Sequence, residues 1–436
     1  MWSFRIPLDR TEKQARALLA LPISPVSSSI WVVARFCPDA ACGKKYPDNI
    51  AFCGECGTIT IQEQPASDVD PRLGQRLGSY LVVARIADGA MGRVYEGRHH
   101  ETKARVAIKV LHAEVARDAV AVERFKREYE TASEMNHPNV VKVIEFGATE
   151  DRSQFMTMEY LEGEELGNLL RRAGKVETPR LLRVVCQMAL ALDYAHSFGF
   201  IHRDLKPDNI FLCRGQDGDT VRILDFGSVK LQMDTGPKLT AFGTTLGSPF
   251  YMSPEQAMGK QDVDQRTDVF ALAAISYECL TGKIAFEAIN VAQILMKIIN
   301  QNPTPPSQLA QVPAGVDDVI DKGLRKDKTK RYADASSLAA GLCQAFGLSA
   351  DVKRWAEAPL SEVAAQLGSA QPPAARAFGI LSEAPAPAAG APAASLPPGA
   401  VSASSLPGMA GNPSMKLGIA VAALAVVALV TALLLR

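Results

Sequence analysis

Net charge is missing from the chain as a whole, with 47 lysines and arginines against 47 aspartates and glutamates in 436 residues. Without a basic surplus nothing global favours a polyanion, and no nucleic-acid partner is expected. A secretory signal is also missing: the short apolar run at residues 18–21 is cut by Pro22 and followed by serines, so the bulk of the protein is expected in the cytosol. The eight cysteines lack the even spread of a disulfide framework. Four crowd between Cys37 and Cys56, whereas Cys186, Cys213, Cys279 and Cys343 stand alone, a distribution that favours metal over disulfides. No period of twenty to fifty residues recurs, which argues against a solenoid.

The length fits one large domain of about 250 residues with smaller appendages. Residues 1–35 receive no assignment, 36–57 hold the cysteine cluster, and 58–77 read as a polar linker with Pro65 and Pro71. A globular stretch covers 78–346, with strand-like runs at 80–86, 93–98 and 106–111, a helical pattern at 120–135 and a mainly helical second half. Residues 347–415 read as a juxtamembrane tether. Its 371–414 portion holds nine prolines and only two charges, Arg376 and Glu383, and cannot bury a core. As a flexible coil that portion would span roughly 35–40 Å. Residues 416–436 close the chain as a membrane span.

Ala87-Asp88-Gly89-Ala90-Met91-Gly92-Arg93-Val94 lies between two strand-like runs, where small residues let backbone N–H groups cover phosphates. Alone, such a turn is more often a plain hairpin. Val106-Ala107-Ile108-Lys109 sets a lysine inside an apolar strand, where a cation needs partners, and Glu128 in the next helical stretch can pair with it. Taken singly, Glu128 reads as a solvated helix face. His202-Arg203-Asp204-Leu205-Lys206-Pro207-Asp208-Asn209 and, sixteen residues after Asn209, Asp225-Phe226-Gly227 complete the set. With these motifs, in this order and spacing, residues 78–346 resemble the protein kinase family, and the layout of the chain resembles bacterial membrane-tethered (Hanks-type) serine/threonine kinases.

The resemblance implies an α+β, two-lobed fold: a β-rich N-lobe with one main helix, a helical C-lobe, and ATP with two magnesium ions between them. Phosphoryl transfer asks the protein mainly for positioning and charge neutralisation. On this resemblance Asp204 accepts the substrate hydroxyl proton, Lys206 stabilises the transferring phosphoryl group, and Asn209 and Asp225 ligate magnesium, for which manganese can stand in. Lys109 would bind the α- and β-phosphates and Glu128 would hold it. Ile86, Ala87, Gly89, Gly92, Val94 and Ala107 belong to the implied ATP-binding set; Met158 would stand behind the adenine, with Glu159 and Leu161 offering backbone hydrogen bonds.

A lysine two residues after Asp204 is the serine/threonine arrangement, so protein serine and threonine hydroxyls are the implied substrates. Arg203 marks kinases whose activation segment is ordered by a phosphate, and Thr240, Thr244 and Thr245 are the candidate acceptors for autophosphorylation. Gly247-Ser248-Pro249-Phe250-Tyr251-Met252-Ser253-Pro254-Glu255 resembles the end of that segment, with Ser248 where threonine is commoner. Glu255 is expected to pair with Arg331, and Asp268 to hold the catalytic-loop backbone. Ala87 departs from the family, which usually has glycine there, and its methyl would stiffen the loop. The rival from another class is a nucleotide-binding scaffold that signals by shape, which has no need of a base at Asp204.

Cys37-Pro38-Asp39-Ala40-Ala41-Cys42-Gly43 and Cys53-Gly54-Glu55-Cys56-Gly57 form two knuckles ten residues apart. Four thiolates at these spacings suit tetrahedral zinc, and a site closed by protein ligands is structural. The arrangement resembles a small bacterial zinc ribbon, although its first spacing is four residues where two is commoner. Iron accepts the same ligands, and idle reduced cysteines are the remaining alternative. The isolated cysteines read as core residues, and the basic run 322–331 as a solvated helical face. Residues 417–435 are nineteen without charge, long enough at about 1.5 Å each to cross a bilayer core of roughly 30 Å. A buried core helix is the alternative, but a tether leads to no core. Lys416 and Arg436 as flanks fit a single-pass anchor in the inner membrane with the kinase domain cytoplasmic, and a homodimer is compatible with this layout.

Overall fold

The computed structural model describes residues 35–64, 70–89, 91–149, 151, 153–226 and 249–369. It begins with a small three-stranded sheet: β1 (Arg35–Phe36) lies between β2 (Lys45–Tyr46) and β3 (Ile61–Gln62). This cysteine module runs past both ends of the 36–57 stretch marked in the sequence. The expected linker at 58–77 is likewise part of the fold, because it supplies β3 and then β4 (Arg76–Leu77), which pairs with the next strand.

A six-stranded antiparallel sheet follows. Its strands are β4, β5 (Tyr80–Asp88), β6 (Gly92–His99), β7 (Arg105–Leu111), β8 (Val143–Ala148) and β9 (Gln154–Glu159), ordered β4-β5-β6-β7-β9-β8. Val82, Tyr95, Val106, Ile108, Val110 and Phe155 form one buried cluster on it. Helix α1 (Ala119–Glu134) covers the sheet through Phe125. It starts where Asp118, in extended conformation, accepts from the Val120 N–H, an N-cap contact that satisfies one of the free donors of a helix start.

The second lobe is helical, apart from β10 (Gly163–Glu165), β11 (Ile210–Cys213) and β12 (Thr220–Ile223), which form one antiparallel sheet in that order. Its helices are α2 (Leu166–Ala173), α3 (Thr178–Ser197), α4 (Pro254–Ala257), α5 (Arg266–Thr281), α6 (Val291–Asn300), α7 (Gly315–Gly323) and α8 (Ala335–Ala345). Helix α5 is buried along nearly its whole length, so it is apolar all round, as a central core helix must be. Near the centre of the same core Cys186 and Cys343, distant in sequence, bring their sulfurs to 3.5 Å.

Two readings of the sequence need correction. The globular part does not end at residue 346: α9 (Val352–Glu357) and α10 (Leu360–Ser369) follow, and Trp355 and Val363 are buried in the main core. Arg183 of α3 secures this extension by donating to the Ala358 carbonyl at 2.7 Å. Only from 371 onward does the composition abandon core-forming residues. The basic run 322–331 is not a solvated helical face either. Arg331 is buried against Glu255, and Lys326 sits 4.3 Å over the Phe286 ring, where burial pushes its ammonium down to about 8. Arg325 pairs with Asp321, Lys328 with Asp262 and Asp264, and Arg331 with Glu255, pairings that a one-dimensional charge count cannot reveal.

Candidate active site and cysteine centre

Lys109 on β7 faces α1, and its Nζ lies 2.7 Å from Glu128 Oε1 and 2.9 Å from Asp225 Oδ1. One ammonium thus serves two carboxylates. Burial pushes Glu128 up, helped by the Asp225 charge and opposed by Lys109, while Lys109 and its neighbours overcome burial at Asp225 and hold it down, at about 2. Lys109 itself is raised: burial lowers it, but the two carboxylates outweigh that. Such a site can exchange one anion for another without leaving the lysine unpaired, which is what a phosphate-binding lysine requires.

The loop over this lysine is a tight β5–β6 turn closed by the Gly89 N–H donating to the Gly92 carbonyl at 3.0 Å. A side chain at Gly92 would run into the Val110 carbonyl oxygen, so glycine is required there by close strand approach. Ala87 pairs with Val94 in the ladder and does not adopt a positive φ. Its methyl therefore strains nothing, and the departure from glycine is accommodated. Ile86 is half exposed, Ala107 pairs with Met158 across β7 and β9, and Glu159 and Leu161 continue the chain towards the second lobe.

Across the cleft, the loop from His202 to Asn209 is held from several sides. Asp268, at the start of α5 and fully buried, accepts from the His202 N–H at 2.8 Å and the Arg203 N–H at 2.9 Å, and lies 2.7 Å from His196 Nε2. His202 donates through Nε2 to the Leu224 carbonyl at 3.0 Å. Gln256 donates to the Arg203 carbonyl at 2.7 Å, and Arg203 adopts a left-handed backbone, φ 64°, a conformation tolerated where its surroundings over-determine it. Within this frame Lys206 Nζ lies 2.7 Å from Asp204 Oδ2, and Asn209 Nδ2 donates to the Asp204 carbonyl at 2.8 Å.

The Leu224 N–H donates to the Asn209 carbonyl at 2.9 Å, which sets Asp225 beside Asn209. Asp225 also has a left-handed backbone, φ 54°, and Phe226 after it packs on His202 with ring centroids 4.8 Å apart. The expected structural pair is present: Arg331 grips Glu255 with two bonds of 2.6 and 2.7 Å. Thr240, Thr244 and Thr245 lie outside the described residues.

In the cysteine module, the sulfurs of Cys37, Cys42, Cys53 and Cys56 all lie within 4.8 Å of one another. Tetrahedral zinc with bonds of about 2.3 Å requires sulfur separations of about 3.8 Å, so the set fits a metal with little movement. Gly43 and Gly57, each directly after a cysteine, have φ of +56° and +70°, a left-handed turn that a side chain would resist. The Tyr46 hydroxyl lies 2.9 Å from Cys53 Sγ and holds that thiol down, to about 6, whereas burial pushes the Cys37 thiol up.

The lobes, the Lys109 triad and the loop around Asp204 together define a protein kinase. A family model described as "Protein kinase domain" matches residues 80–342, more than half of the chain, and the chain belongs to that family. Curated relatives include the serine/threonine-protein kinase pkn3 of Myxococcus xanthus, 38% identical over 282 residues, covering 63% of this chain and 51% of pkn3. Serine/threonine-protein kinase PknH of Mycobacterium tuberculosis is 35% identical over 278 residues, covering 64% of this chain and 43% of PknH. The chain thus spans about half the length of the curated relatives it matches. Among solved structures, the Mycobacterium tuberculosis PknI kinase domain is 26% identical with a TM-score of 0.51, covering 63% of this chain and 99% of that one.

The motif residues were legible in the sequence; Arg35, Glu96, Arg105 and Tyr160 were not. They meet where the cysteine module joins the kinase sheet, and their only sequence signal is a glutamate at a buried strand position among arginines.

Proposed function

We propose that the protein is a serine/threonine protein kinase that transfers the γ-phosphoryl group of ATP to hydroxyl groups of other proteins. The observation that carries this reading is Asp204 held beside Lys206 and Asn209 on a fixed loop, opposite the Lys109–Glu128–Asp225 triad. Asp204 takes the proton of the incoming hydroxyl as its oxygen attacks the γ-phosphorus, and the bond to the β-phosphate breaks to release ADP. Lys206 orients Asp204 and offers positive charge to the moving phosphoryl group. Lys109 receives the α- and β-phosphates with Glu128 as its second anchor. Asn209, whose amide N–H faces away to Asp204, and Asp225 would hold magnesium, which supplies further positive charge against the phosphates.

With labelled ATP and a generic protein substrate, Asp204→Asn is expected to lower transfer by roughly 10²- to 10⁴-fold while ADP binding persists. Wild-type protein that binds ADP but transfers nothing would instead support the scaffold reading.

Autophosphorylation of the segment containing Thr240, Thr244 and Thr245 is the regulatory part of the proposal. It is supported by Arg203, whose Nε is buried with no hydrogen-bond partner among the described residues, as a docking point for a phosphate would be. Full activity of the triple alanine variant would refute it. The cysteine set is assigned to structural zinc, to be checked by metal content and by thiol titration with and without chelator. Residues 416–436 are proposed as a single-pass inner-membrane anchor with the kinase domain on the cytoplasmic side. They lie outside the described residues, among which no helix is long and apolar enough to cross a membrane. Fractionation of the full chain against a version ending at residue 415 tests the anchor, and sedimentation tests for a homodimer.

A further inference from the structure

Glu96, on β6, is buried, and no part of the kinase reaction described above uses it. Three guanidinium groups converge on its carboxylate. Arg35 of the cysteine module donates to Oε2 at 3.0 Å, Arg98 to Oε1 at 3.2 Å, and Arg105 reaches both oxygens at 3.0 and 3.3 Å. Burial alone would raise the Glu96 carboxyl, but the arginines overcome it and hold the group below its ordinary value. Each of two guanidiniums also has a second attachment. Arg35 donates to the Asp48 carbonyl at 2.7 Å, inside the cysteine module. Arg105 stacks 3.5 Å from the Tyr160 ring centroid and donates to Glu162 at 3.0 Å.

Tyr160 lies between Glu159 and Leu161, the residues whose backbone is assigned to the adenine. An unbroken line of charge contacts therefore runs from the cysteine module, through one carboxylate, to the hinge. We propose that Glu96 is a positioning residue for nucleotide binding, and that the cysteine module, acting through Arg35, braces the adenine hinge by way of Arg105 and Tyr160. This rests on the kinase reading of the hinge. It adds to that reading a role for a module outside the kinase motifs: the module sets ATP affinity from within the same chain.

The geometry favours a brace over mere adhesion. A module held only for stability needs contacts to the sheet, and it has another: Gln62 Oε1 accepts from the Arg85 N–H at 2.9 Å. Glu96 differs because the carboxylate that receives Arg35 also fixes the guanidinium on which Tyr160 rests. With Arg35 gone, Arg105 would be freer to follow Glu162, which is exposed, and the hinge backbone would sample more conformations before nucleotide binds. Ordering it on binding then costs affinity without altering the reacting groups.

The test uses the full chain and titrates ADP with magnesium by calorimetry, alongside steady-state transfer. Arg35→Met is expected to weaken ADP by ~5-fold and raise KM for ATP in step, with kcat within about twofold of wild type. Arg105→Met is expected to cost ~10-fold, and the double variant no more than Arg105→Met alone, because serial links are non-additive. Hydrogen exchange at the 160–162 amides should rise in Arg35→Met. Were Arg35→Met not to fold, Arg35→Lys, which keeps a charge for Glu96, is expected to give the same pattern at smaller amplitude. Unchanged ADP affinity and hinge exchange in a folded Arg35 variant would overturn the proposal, as would ADP losses that multiply in the double variant. Wild-type protein that neither binds ADP nor transfers phosphate would instead remove the kinase reading beneath it.

Discussion

Asp268 and Glu96 are both buried carboxylates and are satisfied in opposite ways. Asp268 takes its hydrogen bonds from two consecutive backbone N–H groups and a neighbouring histidine. Glu96 takes all of its bonds from the ends of three long side chains. A carboxylate bonded to backbone fixes the path of the chain, here the loop that presents Asp204. A carboxylate bonded to guanidiniums fixes no path of its own; it gathers segments remote in sequence, residues 35, 96, 105 and 160, into one assembly. The first kind serves catalysis, where a misplacement of about 1 Å can cost 10²-fold. The second kind suits the joining of modules, because side-chain ends can separate while each segment stays folded.

The largest effect is expected at Asp268. Asp268→Asn keeps the shape but replaces one acceptor oxygen with an amide that faces other donors. Removing one partner of a buried charged set costs about 3–5 kcal/mol, and the loosened loop is expected to lower kcat by roughly 10²-fold with a smaller change in KM. Asp268 also has a pH signature. Burial pushes the Asp268 carboxyl up, but the His196 bond, nearby histidine charge and the Arg203 N–H more than offset it, so its pKa is held below the ordinary 3.8. A carboxyl depressed in the folded state contributes stability that is fully present above its unfolded pKa and is lost as pH falls through the folded one. The stability gap between wild type and Asp268→Asn, measured in urea, should therefore be full at pH 7 and narrower at pH 3. A gap independent of pH would place the effect of Asp268→Asn in packing and not in the charge of the carboxylate.

At Glu96 a smaller stability loss and a different functional readout are expected. Glu96→Gln leaves the shape and one acceptor but removes the charge that holds three guanidiniums together, at about 2 kcal/mol for charged hydrogen bonds weakened. ADP affinity should fall by ~10-fold while kcat at saturating ATP changes little. A drop in kcat with unchanged ADP affinity would mean that Glu96 acts on the catalytic loop after all.

The two carboxylates also explain how much could be read from the sequence. The loop at 202–209, the triplet at 225–227, Lys109 and Asp268 carried the motif order and spacing of a family resemblance, and the two-lobed fold was what that resemblance implied. The assembly around Glu96 has no such spacing, since any arginine long enough to reach could have served. The same limit applies to the basic run at 322–331, where Arg331 was assigned to Glu255 by its motif while Lys326, lodged among aromatic rings, was not foreseen. It applies again at Trp355 and Val363, apolar positions in a short helical tail that look unremarkable until α3 is placed beneath them. Tertiary partners of side chains, unlike loop geometry, leave no period.

Arg98 separates the two roles of the Glu96 assembly. It donates to Glu96 Oε1 like Arg105, yet its other contact is a loose one, 5.9 Å over the Phe52 ring in the cysteine module, and it does not reach Tyr160. Arg98→Met should therefore remove a bond to the carboxylate, about 1.5 kcal/mol at the low end for a hydrogen bond to a charged group because the acceptor retains two other arginines, and leave ADP affinity unchanged. Thermal unfolding and ADP titration of the same sample measure both quantities. If Arg98→Met weakened ADP as much as Arg105→Met, the hinge would be responding to the total charge around Glu96, and the specific path through Arg105 and Tyr160 would have to be abandoned in favour of a field effect. If only stability moves, the path is a mechanical one, and the three arginines divide into one that attaches the module, one that carries its influence to the hinge, and one that holds the carboxylate in place.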